Sequence, residues 1–169
     1  VQYSCRLWQT DGTTTSAVPL APVTSLYYPS DLTALGDRIY FLAGSSRTLY
    51  WTDGNGTHVV AGGGLPEYYG VQSPPVVAGP YLYFALQSGL WRVDVLGVVA
   101  HVWPGSYVGN LTAVGGELYF VSSQGDQSVY RTNGEVGGTV RLEPDGSNLY
   151  TNPYELTPVQ TPAGTRVFF

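Results

Sequence analysis

The stretch Leu111-Thr112-Ala113-Val114-Gly115-Gly116-Glu117-Leu118-Tyr119-Phe120-Val121 decides the fold. An apolar run meets two glycines and returns as a second run of apolar and aromatic residues, which is the pattern of a β-hairpin closed by a two-residue turn. After a short polar loop, Ser128–Thr132 reads as a third strand, Asn133-Gly134 as a turn that needs positive φ, and Gly138–Leu142 as a fourth strand. No stretch keeps a helical period over about ten residues, so essentially no α-helix is expected.

Working outward, the hairpin recurs as Leu32–Phe41, as Val76–Phe84 and, with two extra residues, as Leu156–Phe169. The third strand and its turn recur as Leu7-Trp8-Gln9-Thr10-Asp11-Gly12, Leu49-Tyr50-Trp51-Thr52-Asp53-Gly54, Leu90-Trp91-Arg92-Val93-Asp94 and Val129-Tyr130-Arg131-Thr132-Asn133-Gly134. The aromatic positions Trp8, Tyr50, Trp91 and Tyr130 are 42, 41 and 39 residues apart. Two independent signatures in four copies define a repeat of about 40 residues. The units run at about 7–46, 47–88, 89–127 and 128–169 within a single domain, 1–169.

A four-stranded antiparallel unit at this period points to an all-β fold, a β-propeller whose blades stack radially and leave only short, protected sheet edges. A solenoid of β-turns usually has shorter units. The chain begins ahead of a third strand and stops on a second, so it carries three whole sheets and two halves, 7–20 and 156–169. Two arrangements satisfy this count: the halves form a split blade that closes a four-bladed ring, or the chain is a slice of a larger propeller. With no initiator Met, it reads as a mature or trimmed product.

Composition fits. The 169 residues are 43% hydrophobic and 14% aromatic, enough for one domain with a real core. Only 11% are charged, while 22 Gly and 12 Pro suit short strands and tight turns. No apolar run of about 20 residues is present to span a bilayer. A net charge of −5 and seven scattered basic residues, all Arg, argue against nucleic acid, whose phosphates need clustered cations. The single cysteine, Cys5, excludes an internal disulfide; it can pair with another chain or remain an unpaired thiol.

Signatures of catalysis are missing. His58 and His101 both fall on or near the outer, fourth strand of adjacent units, facing solvent. There is no nucleophile elbow, no Cys and His pair and no phosphate-cradling loop with a lysine, so the chain is expected to be no enzyme and to need no cofactor. Asp53-Gly54-Asn55-Gly56-Thr57 looks like a calcium loop, but it offers one carboxylate where calcium usually takes several, and no metal is expected. Asn55-Gly56-Thr57 and Asn110-Leu111-Thr112 fit glycosylation acceptors yet coincide with repeat positions and read as turns. The repeated aromatic and Asp invite a sugar-platform reading. In a blade, however, such aromatics pack between sheets, and Asp or Asn before Gly is turn chemistry.

The connections from each fourth strand to the next first strand carry Tyr27 and Tyr28, Tyr68 and Tyr69, Trp103 and Tyr107, and Tyr150 and Tyr154. In a propeller these loops emerge on one face near the channel mouth, and tyrosine gives large contact area at low entropic cost. These eight residues are the candidate ligand-binding set. The competing structural reading is that each folds back over its blade as a hydrophobic lid.

The four hexamers, three of them closed by Thr-Asp-Gly or Thr-Asn-Gly, resemble the bacterial repeat family known by its consensus ELWxxDGT. Asn133-Gly134-Glu135-Val136-Gly137-Gly138-Thr139-Val140 is similar to that family's turn and following strand, and the likeness covers nearly the whole chain. It implies a propeller-like fold in surface or secreted proteins, frequent in high-GC bacteria such as the myxobacteria. The leading Glu of the consensus is replaced by Arg6, Thr48, Gly89 and Ser128, and the third copy has Asp94-Val95 in place of Asp-Gly. The expected function is a non-enzymatic, secreted or cell-surface interaction or structural module with a protein partner or self-association. The alternatives are a glycan-binding lectin using the Tyr-rich loops and a fragment of a secreted enzyme whose site lies elsewhere.

Overall fold

The computed structural model describes residues 6–13, 16–20, 26–66, 69–124, 126–142, 153 and 155–169. Cys5 lies outside them, and every regular element among them is a β-strand. A hairpin comes first, β1 (Trp8–Gln9) and β2 (Val18–Pro19). The first four-stranded sheet holds β3 (Ser30–Leu35), β4 (Arg38–Ala43), β5 (Thr48–Thr52) and β6 (Thr57–Val59). The second holds β7 (Val76–Ala78), β8 (Tyr81–Leu86), β9 (Gly89–Asp94) and β10 (Val99–Trp103). The third holds β11 (Val108–Val114), β12 (Glu117–Gln124), β13 (Asp126–Thr132) and β14 (Thr139–Leu142). A last hairpin is β15 (Thr157–Thr161) and β16 (Gly164–Phe168).

Each four-stranded sheet is an antiparallel meander in chain order. The hairpins β1–β2 and β15–β16 stand as separate two-stranded sheets. The Gly115-Gly116 turn has φ of 58° and 87°, the two positive values a type I′ hairpin demands, and it joins Val114 to Glu117 in register. The polar loop expected after Val121 is shorter than its composition suggests. The β12–β13 ladder continues through Ser122↔Ser128 and Ser123↔Gln127, because ladder bonds are made by backbone and polar side chains do not end them.

The second sheet is covered on both faces. Leu82, Phe84 and Leu86 of β8 join the core shared with Tyr40, Leu42 and Leu49 of the first sheet. Tyr83 and Ala85, on the opposite face, join the core shared with Leu118, Phe120 and Tyr130 of the third. Burial on both faces explains why Tyr81–Leu86 is continuously apolar rather than alternating. Each of these large side chains contributes about 1.5–3 kcal/mol by leaving water. Val121, Val129 and Leu156 extend the layering from the third sheet toward the last hairpin, with Val167 packed against them.

Sheets approach one another most closely at their first strands: β3 beside β7, β7 beside β11, and β11 beside β15. The hairpin turns follow the same course, since a Cβ on Gly79 would meet the Gly116 carbonyl oxygen at 2.7 Å.

The repeated Thr-Asp-Gly motif is turn chemistry. Gly12, Gly54 and Gly134 donate backbone N–H bonds to the hydroxyls of Thr10, Thr52 and Thr132. One residue further along, Thr13, Asn55 and Glu135 donate to the side-chain oxygens of Asp11, Asp53 and Asn133. Where the third copy lacks the Gly, Asp94 compensates by accepting from two backbone groups, Leu96 and Val98. The repeated carboxylate is therefore committed to its own loop.

Candidate functional site

In a four-stranded meander the second and fourth strands finish at the same end, so the turns β4–β5, β8–β9 and β12–β13 share one face with the crossovers to the next sheet. Hydrogen bonds tie the two sets together. Gly44 donates to the Tyr27 carbonyl at 2.8 Å, Val71 to the Arg47 carbonyl at 3.1 Å, and Ser123 to the Tyr107 carbonyl at 3.2 Å. This crossover face is thus built from pinned loops.

It is also where the strained backbone lies. Among the described residues the non-glycine positions with positive φ are Tyr28, Asp31, Arg47 and Asn110, at 52–57°, and all four sit at this end of the sheets. Such conformations cost of order 1–3 kcal/mol each and persist where the surroundings over-determine them. Asp31 and Asn110 occupy matching β-bulges near the starts of β3 and β11. Arg47 holds the first of these: its guanidinium lies 3.2 Å from Asp31 and its Nε donates to the Val71 carbonyl. That ion pair is half exposed and weak by itself, but it links a first strand, a turn and a crossover. Asn110 was expected in a turn and instead forms part of strand β11.

The eight sequence candidates divide. Tyr27, Tyr28 and Tyr107 project into solvent, with Tyr28 the most open at 67% exposure. Tyr69 is buried: its hydroxyl donates to the Val60 carbonyl at 2.7 Å, and burial pushes its phenol far above the ordinary tyrosine range. Trp103 is half-buried, packs 4.8 Å from Tyr130 and donates its indole N–H to Ser122. Tyr69 and Trp103 therefore take the lid position. Tyr68, Tyr150 and Tyr154 lie outside the described residues.

Between the crossover out of β6 and the β8–β9 turn lies an open cleft of about 550 Å³ that sequence reasoning did not find. Pro66, Tyr69, Gly70, Gln72, Leu86, Gln87 and Ser88 line it. Its rim is well supported. Ser88 accepts the Trp91 indole N–H, its carbonyl accepts from His101 Nε2, and Gln72 donates its backbone N–H to Ala85. Gly89 closes the turn at φ 128°, with the Trp103 carbonyl so near that a Cβ would stand 1.9 Å from it.

Both histidines are exposed and stacked on tryptophans, His58 on Trp51 and His101 on Trp91, at 4.5 and 4.4 Å. Among the described residues no group of three or more His, Cys, Asp or Glu is placed to hold a metal ion, and no helix is long and apolar enough to cross a membrane. Comparison with protein-family models and with curated protein sequences finds no match to either.

Proposed function

We propose that the chain is a propeller-type interaction module, a non-enzymatic member of the ELWxxDGT class, that engages its partner through the crossover face. The observation that carries this reading is the coincidence, on one face, of the four strained non-glycine residues with the exposed Tyr27, Tyr28 and Tyr107. Strain fixed by a supporting hydrogen-bond network is a mark of pre-organised recognition surfaces. Exposed tyrosines on rigid loops supply contact area with few rotamers to freeze. Approach of the sheets through their first strands favours a radial set of blades, in which β1–β2 and β15–β16 supply the halves of the fourth. A secreted or surface-exposed setting suits a chain of low charge whose loops are rich in Tyr, Gly and Pro.

The test uses the labelled chain on an array of extracellular-matrix proteins, bacterial envelope proteins and glycans. The variant Tyr27→Ser/Tyr28→Ser/Tyr107→Ser is compared with Leu96→Ser/Val136→Ser, which alters exposed apolar residues of the turns at the opposite end of the sheets. Loss of signal in the first variant alone supports the proposal. Signals lost only in the second, or in neither, overturn it.

A further inference from the structure

We infer that the cleft between Gln72 and Gln87 is a binding site for a neutral, hydroxyl-rich ligand, a mono- or disaccharide unit. The inference deepens the reading of the crossover face as a binding surface and rests on it. Four observations on the residues that line it carry the inference.

The first is size. A volume of about 550 Å³ falls inside the range of about 300–1,000 Å³ usual for small-ligand sites, and the cleft opens onto solvent, as an end of a longer glycan would require. The second is charge. None of the described lining residues is ionisable at neutral pH, and Tyr69, the one titratable group, is locked by its bond to Val60 with its phenol pushed further from ionisation. Among the described lining residues an anionic or cationic ligand finds no counter-charge, whereas a sugar needs none.

The third is unspent hydrogen-bonding capacity. The side-chain carboxamides of Gln72 and Gln87 are exposed and make no hydrogen bond within the described residues. A carboxamide presents a donor and an acceptor side by side, and neighbouring hydroxyls of a pyranose present the complementary pair. Two such groups facing one cleft can fix the orientation of one ring. The fourth is the wall between them. Exposed Pro66, beside the edges of the buried Leu86 and Tyr69, gives an apolar contact for the C–H face of a sugar, while Ser88 adds an acceptor whose hydroxyl position is set by the Trp91 indole. A peptide strand would instead seek a row of unpaired backbone groups, and here the backbone of Gln72 is already bonded to Ala85.

The experiment is saturation-transfer NMR on the whole chain with glucose, galactose, N-acetylglucosamine, maltose and lactose as probes, and with glucuronate and an unrelated tripeptide as controls. Transfer is expected to at least one neutral sugar and to neither control. In Gln72→Ala and in Gln87→Ala the affinity for that sugar should fall about tenfold, the worth of one good hydrogen bond, with thermal melting unchanged. Transfer to no neutral sugar, transfer only to the tripeptide, or transfer that survives both substitutions together overturns the inference. The outcomes separate from those of the parent proposal. Failure of the sugar screen leaves binding through Tyr27 and Tyr28 standing, whereas array signals insensitive to those tyrosines remove the parent reading itself.

Discussion

The guanidinium of Arg92 lies 3.9 Å above the ring of Tyr81, a diagonal pair across β8 and β9. The same diagonal in the first sheet holds Arg38 at 4.2 Å over Trp51, with the cation on the other strand, and in the third it holds the Arg131–Glu117 ion pair at 3.3 Å. Three sheets therefore keep one cation and one acceptor at the same place while exchanging which strand supplies each. In the second sheet the pair also recruits the next unit, because the Tyr81 hydroxyl donates to Glu135 and Arg92 lies 4.0 Å from the same carboxylate. Arg92→Ala should cost about 1–2 kcal/mol, since the side chain is largely shielded from water. Arg92→Lys should recover only part of it, because a compact ammonium does not stack as a planar guanidinium does. Urea titrations of the three proteins measure this; full recovery by lysine would show that charge alone matters.

Two buried hydroxyls, those of Tyr40 and Tyr83, have no hydrogen-bond partner among the described residues and sit at equivalent positions on β4 and β8. Burial pushes the Tyr83 phenol far above its ordinary range. Tyr40→Phe and Tyr83→Phe remove a desolvated polar atom without opening a cavity, so each should leave stability unchanged or raise it by about 1 kcal/mol. Tyr69→Phe should do the reverse and cost about 1–2 kcal/mol, because it strips the Val60 carbonyl of a buried donor. Thermal denaturation of the three variants distinguishes these signs.

Two glycines at positive φ should differ sharply. A Cβ on Gly89 would stand 1.9 Å from the Trp103 carbonyl oxygen, whereas one on Gly12, also at positive φ, would meet no described residue within 4 Å. Gly89→Ala should cost about 3 kcal/mol through displacement of the end of β10, and Gly12→Ala about 1 kcal/mol from backbone strain alone. Equal losses in denaturant midpoint would contradict the close approach of Trp103 to the β8–β9 turn.

Acid should weaken the turns. Asp11 is held down to about 2 from 3.8, chiefly by the Ser16 hydroxyl and then by the Thr13 N–H, and Asp53 is lowered by the Asn55 N–H. A carboxylate with a depressed folded value binds its proton less readily than in the unfolded chain, so its stabilisation is complete above about pH 4 and fades as pH falls through about 2. Urea midpoints should be level from pH 6 to 4 and then decline. Asp11→Asn should flatten that decline; an unchanged slope would remove the turn from the explanation.

The sheets were legible because both their signals are local: glycine pairs at the hairpins and apolar runs of strand length. The crossover face was less so. Tyr27-Tyr28-Pro29 and Tyr68-Tyr69-Gly70 look alike as sequence, yet Tyr28 is open and Tyr69 buried. The following residue separates them. Gly70 lets the chain pass so near the Ser46 carbonyl that a Cβ would stand 2.7 Å away, which brings the crossover against its sheet, whereas Pro29 excludes such a path. Gln72, Gln87 and Ser88 carry no periodic signal at all, because a cleft formed by a crossover and a distant turn exists only once the sheets are packed.

The proposed radial arrangement of the sheets is tested most directly by one distance. Spin labels at Gln9→Cys and Thr165→Cys, both exposed positions, in a Cys5→Ser background report on the first and last hairpins by pulsed electron resonance. Radial stacking brings these half-sheets side by side and gives a separation of about 10–20 Å. A distance of about 40 Å, four face-to-face sheet spacings laid in a row, would contradict it.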